Sequence, residues 1–296
     1  MFAYRAYGQS ICSELQLPGL SVEDDGCDVS IRLGEVTCDY GDLDDYLTIN
    51  PHEASFCWQP VGKILVREGH EIIVEPGIGS SEGLVRHFLL TSAIAMLFHQ
   101  RNDYVLHASA VEINGSCIAF IGESGWGKST TAGYLTQHNF NLVVDDVLPV
   151  FLNSSQPVVF PGFAYNRVRP DAALFLGYSR SGPNSLADLP QTPLPLKRIY
   201  LLQRGTAPKI LPMPPREAFI NLLTHSYASH FTGVYKSDIL ALTGATTWHF
   251  EQAAKLAQSI PMFRLERPLS HDALPELARL IEEDVTSDFA YQGDPR

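Results

Sequence analysis

The stretch 120-FIGESGWGKSTTAGY-134 decides how this chain is read. Gly122, Gly127, Lys128 and Ser129 sit at the G-x-x-x-x-G-K-[ST] spacing of a loop whose backbone N–H groups cradle phosphates. The context agrees, because the apolar run "SCIAFI" precedes it and "KSTTAGYLTQH" follows without an internal proline. Strand, glycine loop and helix N-terminus together are what a nucleotide's phosphates need. Gly122, Glu123, Ser124, Gly125, Trp126, Gly127, Lys128, Ser129 and Thr130 are therefore the expected nucleotide contacts. Lys128 would bridge the β- and γ-phosphates of ATP, and the Ser129 hydroxyl would ligate Mg²⁺. Such a loop serves switches, motors and kinases alike, so its neighbours must choose among them.

Immediately upstream lies "HASAVEINGSCIAFIGES". Asn114-Gly115 is a strong hairpin signal, since a type I′ turn needs positive φ at both central residues. Reflection about that turn sets His107 opposite Gly122, at the mouth of the loop. It also gives the loop strand an antiparallel neighbour, whereas the common phosphate-loop switches and motors use mainly parallel sheets. Downstream, "NFNLVVDDVLPVF" reads as one strand whose apolar run ends in Asp145 and Asp146. One carboxylate of such a pair can hold the metal while the other takes a proton from an attacking hydroxyl. Asp146 is the expected base and Asp145 the expected metal ligand, with the exchanged assignment open. Arg167 and Arg169, in "PGFAYNRVRPD", carry guanidinium forks suited to a transferring phosphoryl group, and Arg167 is the favoured catalytic candidate. His225, Tyr227 and His230 read as packing or capping residues.

Composition excludes several classes. With 296 residues and 45% hydrophobic content the chain can bury a sizeable core. A formal charge of −12 argues against general nucleic-acid binding. "FLLTSAIAMLF" is too short to cross a membrane and "MFAYRAYGQS" has no signal-like pattern, so no membrane partner and a cytoplasmic location are expected. Cys12, Cys27, Cys38, Cys57 and Cys117 are odd in number and contain no C-x-x-C, which reads as reduced thiols. Between 151 and 220 basic residues outnumber acidic ones, and this is either ordinary surface charge or a wall for phosphates or an acidic substrate.

Two regions follow from the pattern. Residues 1–82 form a β-rich module of short alternating runs ("FAYRAYGQSI", "CDVSIRLGEV", "DYLTI", "ASFCW", "KILVRE", "HEIIVEP"), a candidate for peptide recognition. Residues 83–296 form the nucleotide core, α/β with a mixed sheet. It opens with the buried helix "GLVRHFLLTSAIAMLFHQ" and includes a Ser/Gly/Pro-rich loop from Tyr178 to Pro195. The strands "RIYLLQRG" and "MFRLER", the helices "PPREAFINLLTHSYASH", "TTWHFEQAAKLAQS" and "HDALPELARLIEEDV", and a frayed tail complete it. A peptide groove is expected between the β-rich module and the loop after Tyr178.

The order "LHASAVEINGSCIAFIGESGWGKSTTAGYL … LVVDD" resembles the catalytic core of bacterial HPr kinase/phosphorylase. That resemblance implies a fold related to phosphoenolpyruvate carboxykinase and an ATP- and Mg²⁺-dependent transfer to a serine on a protein or peptide. It assigns Lys128 and Ser129 to phosphates and metal, Asp145 and Asp146 to metal and base, and His107 to the vicinity of the transferring phosphate. The hexameric assembly of those enzymes makes a homo-oligomer an expectation. "FPGFAYNRVRPD" stands where those enzymes carry E-x-R-G-x-G, and Thr130 where they usually have glutamate, which points to an acceptor other than HPr. Through "YRAYGQSICSELQLPGL", "PGFAYNRVRPD", "RIYLLQRG" and "NLLTHSYA" the chain also looks like the HPr-kinase-like lasso-peptide kinases. This implies a precursor-peptide serine as acceptor, with an HPr-like carrier as the alternative and a non-kinase ATPase or switch as the rival class.

Overall fold

The computed structural model describes residues 1–18, 20–22, 26–38, 45–152, 156–163, 192–235 and 238–291. Arg167, Arg169 and most of the expected Tyr178–Pro195 loop lie outside these residues.

The N-terminal strands are β1 (Phe2–Ala6), β2 (Gln9–Ser13), β3 (Ser21–Val22), β4 (Val29–Leu33), β5 (Asp45–Ile49), β6 (Glu53–Trp58), β7 (Gly62–Arg67) and β8 (Glu71–Pro76). They form one mixed sheet in the order β3-β1-β2-β4-β8-β7-β6-β5. The run read as "FAYRAYGQSI" is in fact a hairpin, because Tyr7 and Gly8 both take positive φ and fold β2 back onto β1. The same sheet brings distant cysteines together. Cys12 is bridged to Cys27 and Cys38 to Cys57, at Cα separations of 5.5 and 6.8 Å, while Cys117 stays a buried free thiol. The reduced-thiol reading is thus corrected at four positions, since the fold rather than a spacing motif brings them together.

Helix α1 (Glu82–Phe88) runs through a π turn, Leu89–Ala93, into α2 (Ile94–Gln100). Ser81 caps it by accepting a hydrogen bond from the Leu84 N–H at 3.2 Å. Its apolar residues face the module's inner face, where Phe56 packs edge-on against Phe88 and Tyr7 against Phe98. One hydrophobic core therefore runs from Tyr4 and Ile31 through Leu89 and Met96 to Val144 and Leu201.

The second mixed sheet contains β10 (Ser109–Ile113), β11 (Ser116–Ile121), β12 (Asn141–Val144), β15 (Leu194–Arg204), β16 (Lys209–Pro212) and β17 (Met262–Arg267). Its order is β12-β10-β11-β15-β17-β16, with β14 (Val158–Val159) pairing beside β15. β11, β15 and β17 pair in parallel, whereas the β12–β10, β10–β11 and β17–β16 pairings are antiparallel. Both faces of β11 are buried. Ile118 and Phe120 meet α3 (Lys128–Thr136) and α8 (Leu274–Tyr291) in a second core, while Ala119 and Ile121 face the first. The terminal helix continues to Tyr291 rather than fraying after Val285. Among the described residues no helix is long and apolar enough to cross a membrane.

The expected single helix from Pro214 is two, α4 (Pro215–Thr224) and α5 (Tyr227–Tyr235), followed by α6 (Ile239–Thr243) and α7 (Thr246–Ser259). The break is set by contact with a distant strand. Ser226 forms an isolated bridge with Leu106, and the His225 carbonyl accepts the His107 N–H at 2.9 Å.

Candidate functional site

Asn114 (φ 51°) and Gly115 (φ 73°) make the expected turn, and β10 pairs with β11 in the expected register, Ser109 with Phe120 through Ile113 with Ser116. The pairing stops there. Ala108 redirects the chain, so that β9 (Tyr104–His107) pairs instead with β13 (Val147–Val150) as a separate ribbon. His107 lies opposite Val147, not Gly122, which corrects the reflected register. "NLVVDDVLPV" divides in the same way. β12 stays in the large sheet, β13 joins the ribbon, and Asp145 and Asp146 form the joint between them.

Two chains thus change sheets at one level, linked by the Ala108 N–H donating to the Asp146 carbonyl at 3.3 Å. Asp146 makes the turn in the left-handed region, φ 81°, where few non-glycine residues sit. The joint is held from outside as well. The Asp145 N–H donates to the Phe163 carbonyl at 3.3 Å, and Tyr7 of the N-terminal module donates its N–H to Pro161 at 2.7 Å.

The two carboxylates are in different surroundings. Asp145 is 3% exposed and accepts a hydrogen bond from Ser109 Oγ at 2.5 Å. Asp146 Oδ1 lies 3.2 Å from His107 Nε2. Burial alone would raise the Asp146 carboxyl, but the hydrogen bond and charge of His107, then His87 and Lys128, hold it below the ordinary carboxylate value. Around His107 stand His230, with ring centroids 4.5 Å apart, and Tyr227 at 5.7 Å. Desolvation and then the charge of His107 push His230 down to about 4, and desolvation, Lys128 and His107 do the same for His225. These two rings are neutral near pH 7, which leaves Lys128 and His107 to face the carboxylates.

The Gly122–Gly127 loop opens from β11 into α3. At Gly122 (φ 146°) a Cβ would fall a tight 3.0 Å from the Leu202 carbonyl at a φ that side chains rarely adopt, and Gly127 (φ 92°) is the left-handed N-cap of α3. Glu123, Ser124 and Gly125 are exposed, Trp126 and Ser129 half-buried, and Thr130 buried. Lys128 folds into the loop, donating from Nζ to the Gly122 carbonyl at 2.9 Å. Burial lowers its ammonium, opposed by Asp146, Asp145 and Glu123. Lys128, Asp145, Asp146 and His107 therefore share one electrostatic site; Arg167 lies outside the described residues.

Mg²⁺ takes few protein ligands, keeping waters and phosphate oxygens for the rest. Among the described residues no cluster of three or more His, Cys, Asp or Glu is placed to hold a metal. Of the basic run, Arg198 is structural. It is 4% exposed, ion-paired with Asp284 at 2.6 Å and stacked on Phe263.

A cavity of about 420 Å³ opens beside the joint, between Pro18 of the module and α1, lined by Ser81, Leu84, Arg86, His87, Leu90 and Phe163. Phe163 carries the carbonyl that holds the Asp145 amide, and the charge of His87 reaches Asp146. The linear pattern did not single out His87, Ser109 or this cavity, and it gave His225 and His230 no part in a site. Apart from Ser109, two residues after His107, nothing in the spacing signals them.

Residues 79–280 match the family model described as SynChlorMet cassette protein ScmC. Over 71 residues the chain is 35% identical to an HPr kinase/phosphorylase of Lactobacillus delbrueckii subsp. bulgaricus, covering 24% of this chain and 22% of that protein. The match thus spans about a fifth of the curated relative. The HPr(Ser) kinase/phosphatase of Coxiella burnetii aligns in structure over 64% of this chain and 94% of its own, at 13% identity and a TM-score of 0.36.

Proposed function

The chain belongs to the SynChlorMet cassette protein ScmC family, and we propose that it is an ATP- and Mg²⁺-dependent kinase that phosphorylates a serine hydroxyl of a peptide, a lasso-type ribosomal precursor in the finest form of the reading. One observation carries the proposal: a phosphate-loop lysine, Lys128, shares its field with an aspartate, Asp146, that is held ionised by a histidine. A switch or hydrolytic motor needs the lysine but not a paired, anionic base. The 35% identity to an HPr kinase/phosphorylase over 71 residues supports the same class.

In this reading the backbone N–H groups of Gly122 to Gly127 and the Lys128 ammonium neutralise the donor phosphates. Ser129 and Asp145 would hold Mg²⁺, which would supply charge neutralisation at the transferring group. Asp146 accepts the proton of the attacking hydroxyl, and His107 keeps its carboxylate ionised until then. The cavity between Pro18 and α1, whose lining includes His87 and Phe163, is the acceptor side.

The test is mass spectrometry of serine-bearing peptides incubated with the protein, ATP and Mg²⁺. One added phosphate on serine, absent with Asp146→Asn, is the expected result. Nucleotide hydrolysis with every peptide unmodified would transfer the protein to the ATPase class.

A further inference from the structure

The donor loop has a cation that the scheme above leaves unused. Arg267 ends β17 and is 3% exposed. Its Nε donates to the Pro268 carbonyl at 3.0 Å and its Nη1 to Thr131 Oγ1 at 3.1 Å, which fixes the guanidinium against the first turns of α3. A Cβ added to Gly127 would lie 3.1 Å from that Nη1, so the group abuts the last glycine of the loop.

Its charge balance differs from that of its neighbour. Lys128 lies in the field of Asp146, Asp145 and Glu123. Among the described residues no carboxylate pairs with Arg267, and burial alone pushes its guanidinium down. A cation buried without a counter-ion destabilises the protein that holds it, unless an anion arrives to complete the pair. Arg204 adds to this flank, since it stands opposite Arg267 across β15 and β17 with its guanidinium 6.0 Å from the Trp126 ring.

We propose that Arg267 is a positioning residue of the donor site: its buried charge is the counterpart of the phosphates of a bound nucleotide, acting through Gly127 and Thr131 while Lys128 acts from inside the loop. The inference rests on the nucleotide-donor reading. It separates from a structural role by sign. Replacing a structural arginine weakens the empty protein, whereas replacing a stored counter-charge leaves the empty protein as stable or more so and weakens the ligand.

Calorimetric titration with Mg·ADP, together with the melting temperature of the empty protein, tests it. For Arg267→Met the dissociation constant is expected to rise about tenfold or more with no fall in the empty protein's melting temperature. Arg267→Lys is expected to recover part of the affinity, because the charge returns without the planar fork. Thr131→Val, which frees the guanidinium but keeps its charge, is expected to weaken binding about threefold. Binding within about twofold of wild type in Arg267→Met overturns the inference, as does unchanged affinity in Thr131→Val should the methionine variant fail to fold. A wild-type protein that binds no Mg·ADP defeats the donor reading itself, before any variant is compared.

Discussion

Asp146 carries two constraints at once. Its backbone is left-handed, and its carboxylate is paired with His107. Asparagine tolerates positive φ better than other non-glycine residues, so Asp146→Asn should keep the fold while removing the proposed base. Phosphoryl transfer is expected to fall by about 10²–10⁴-fold, with circular dichroism unchanged. Asp146→Ala loses the short polar side chain that lets Asp and Asn tolerate this φ, at a cost of about 1 kcal/mol, and should melt earlier than the asparagine variant. His107→Gln removes the imidazole partner of Asp146. Without that partner, burial raises the Asp146 carboxyl, so the acid limb of the kcat/KM profile should move to higher pH; a limb that stays in place would exclude Asp146 as the titrating base.

At the scale of elements, the β10–β11 hairpin isolates the contribution of its turn. A Cβ on Gly115 would meet nothing within 4 Å, so Gly115→Ala should cost about 1 kcal/mol through its φ of 73° alone, measured as a lower urea midpoint with an unchanged slope. This hairpin shows what was legible in the linear pattern. The Asn-Gly turn, its register, the antiparallel neighbour of the loop strand and the strand–loop–helix unit are all local, and local chemistry determines them. The joint was not legible. Whether β9 continues beside β11 or leaves for β13 depends on a strand some forty residues away, as does the division of "NLVVDDVLPV". The cysteine bridges, the break at His225 and the Arg267 contact with Thr131 were hidden for the same reason: each needs pairing between distant segments.

The whole molecule stores acid sensitivity in its interior. Desolvation holds His99, His225, His230 and His249 at about 4, below the ordinary histidine value of 6.5. The unfolded chain then binds more protons than the folded one between those values. Stability is full above pH 6.5 and declines as pH falls toward 4. Asp146 adds its loss lower still, as the pH passes through its depressed folded value. The urea midpoint should therefore be clearly lower at pH 5 than at pH 7, and equal midpoints would show that these rings are hydrated.

The joint at Ala108 and Asp145–Asp146 bears on the order in which the molecule becomes competent. Ser109, which bonds Asp145, belongs to the large sheet, and His107, which bonds Asp146, to the ribbon. A chain with either one assembled alone has no complete site. During refolding, strand and helix signals should return ahead of catalysis, and the interval between them times the docking of the ribbon onto the sheet.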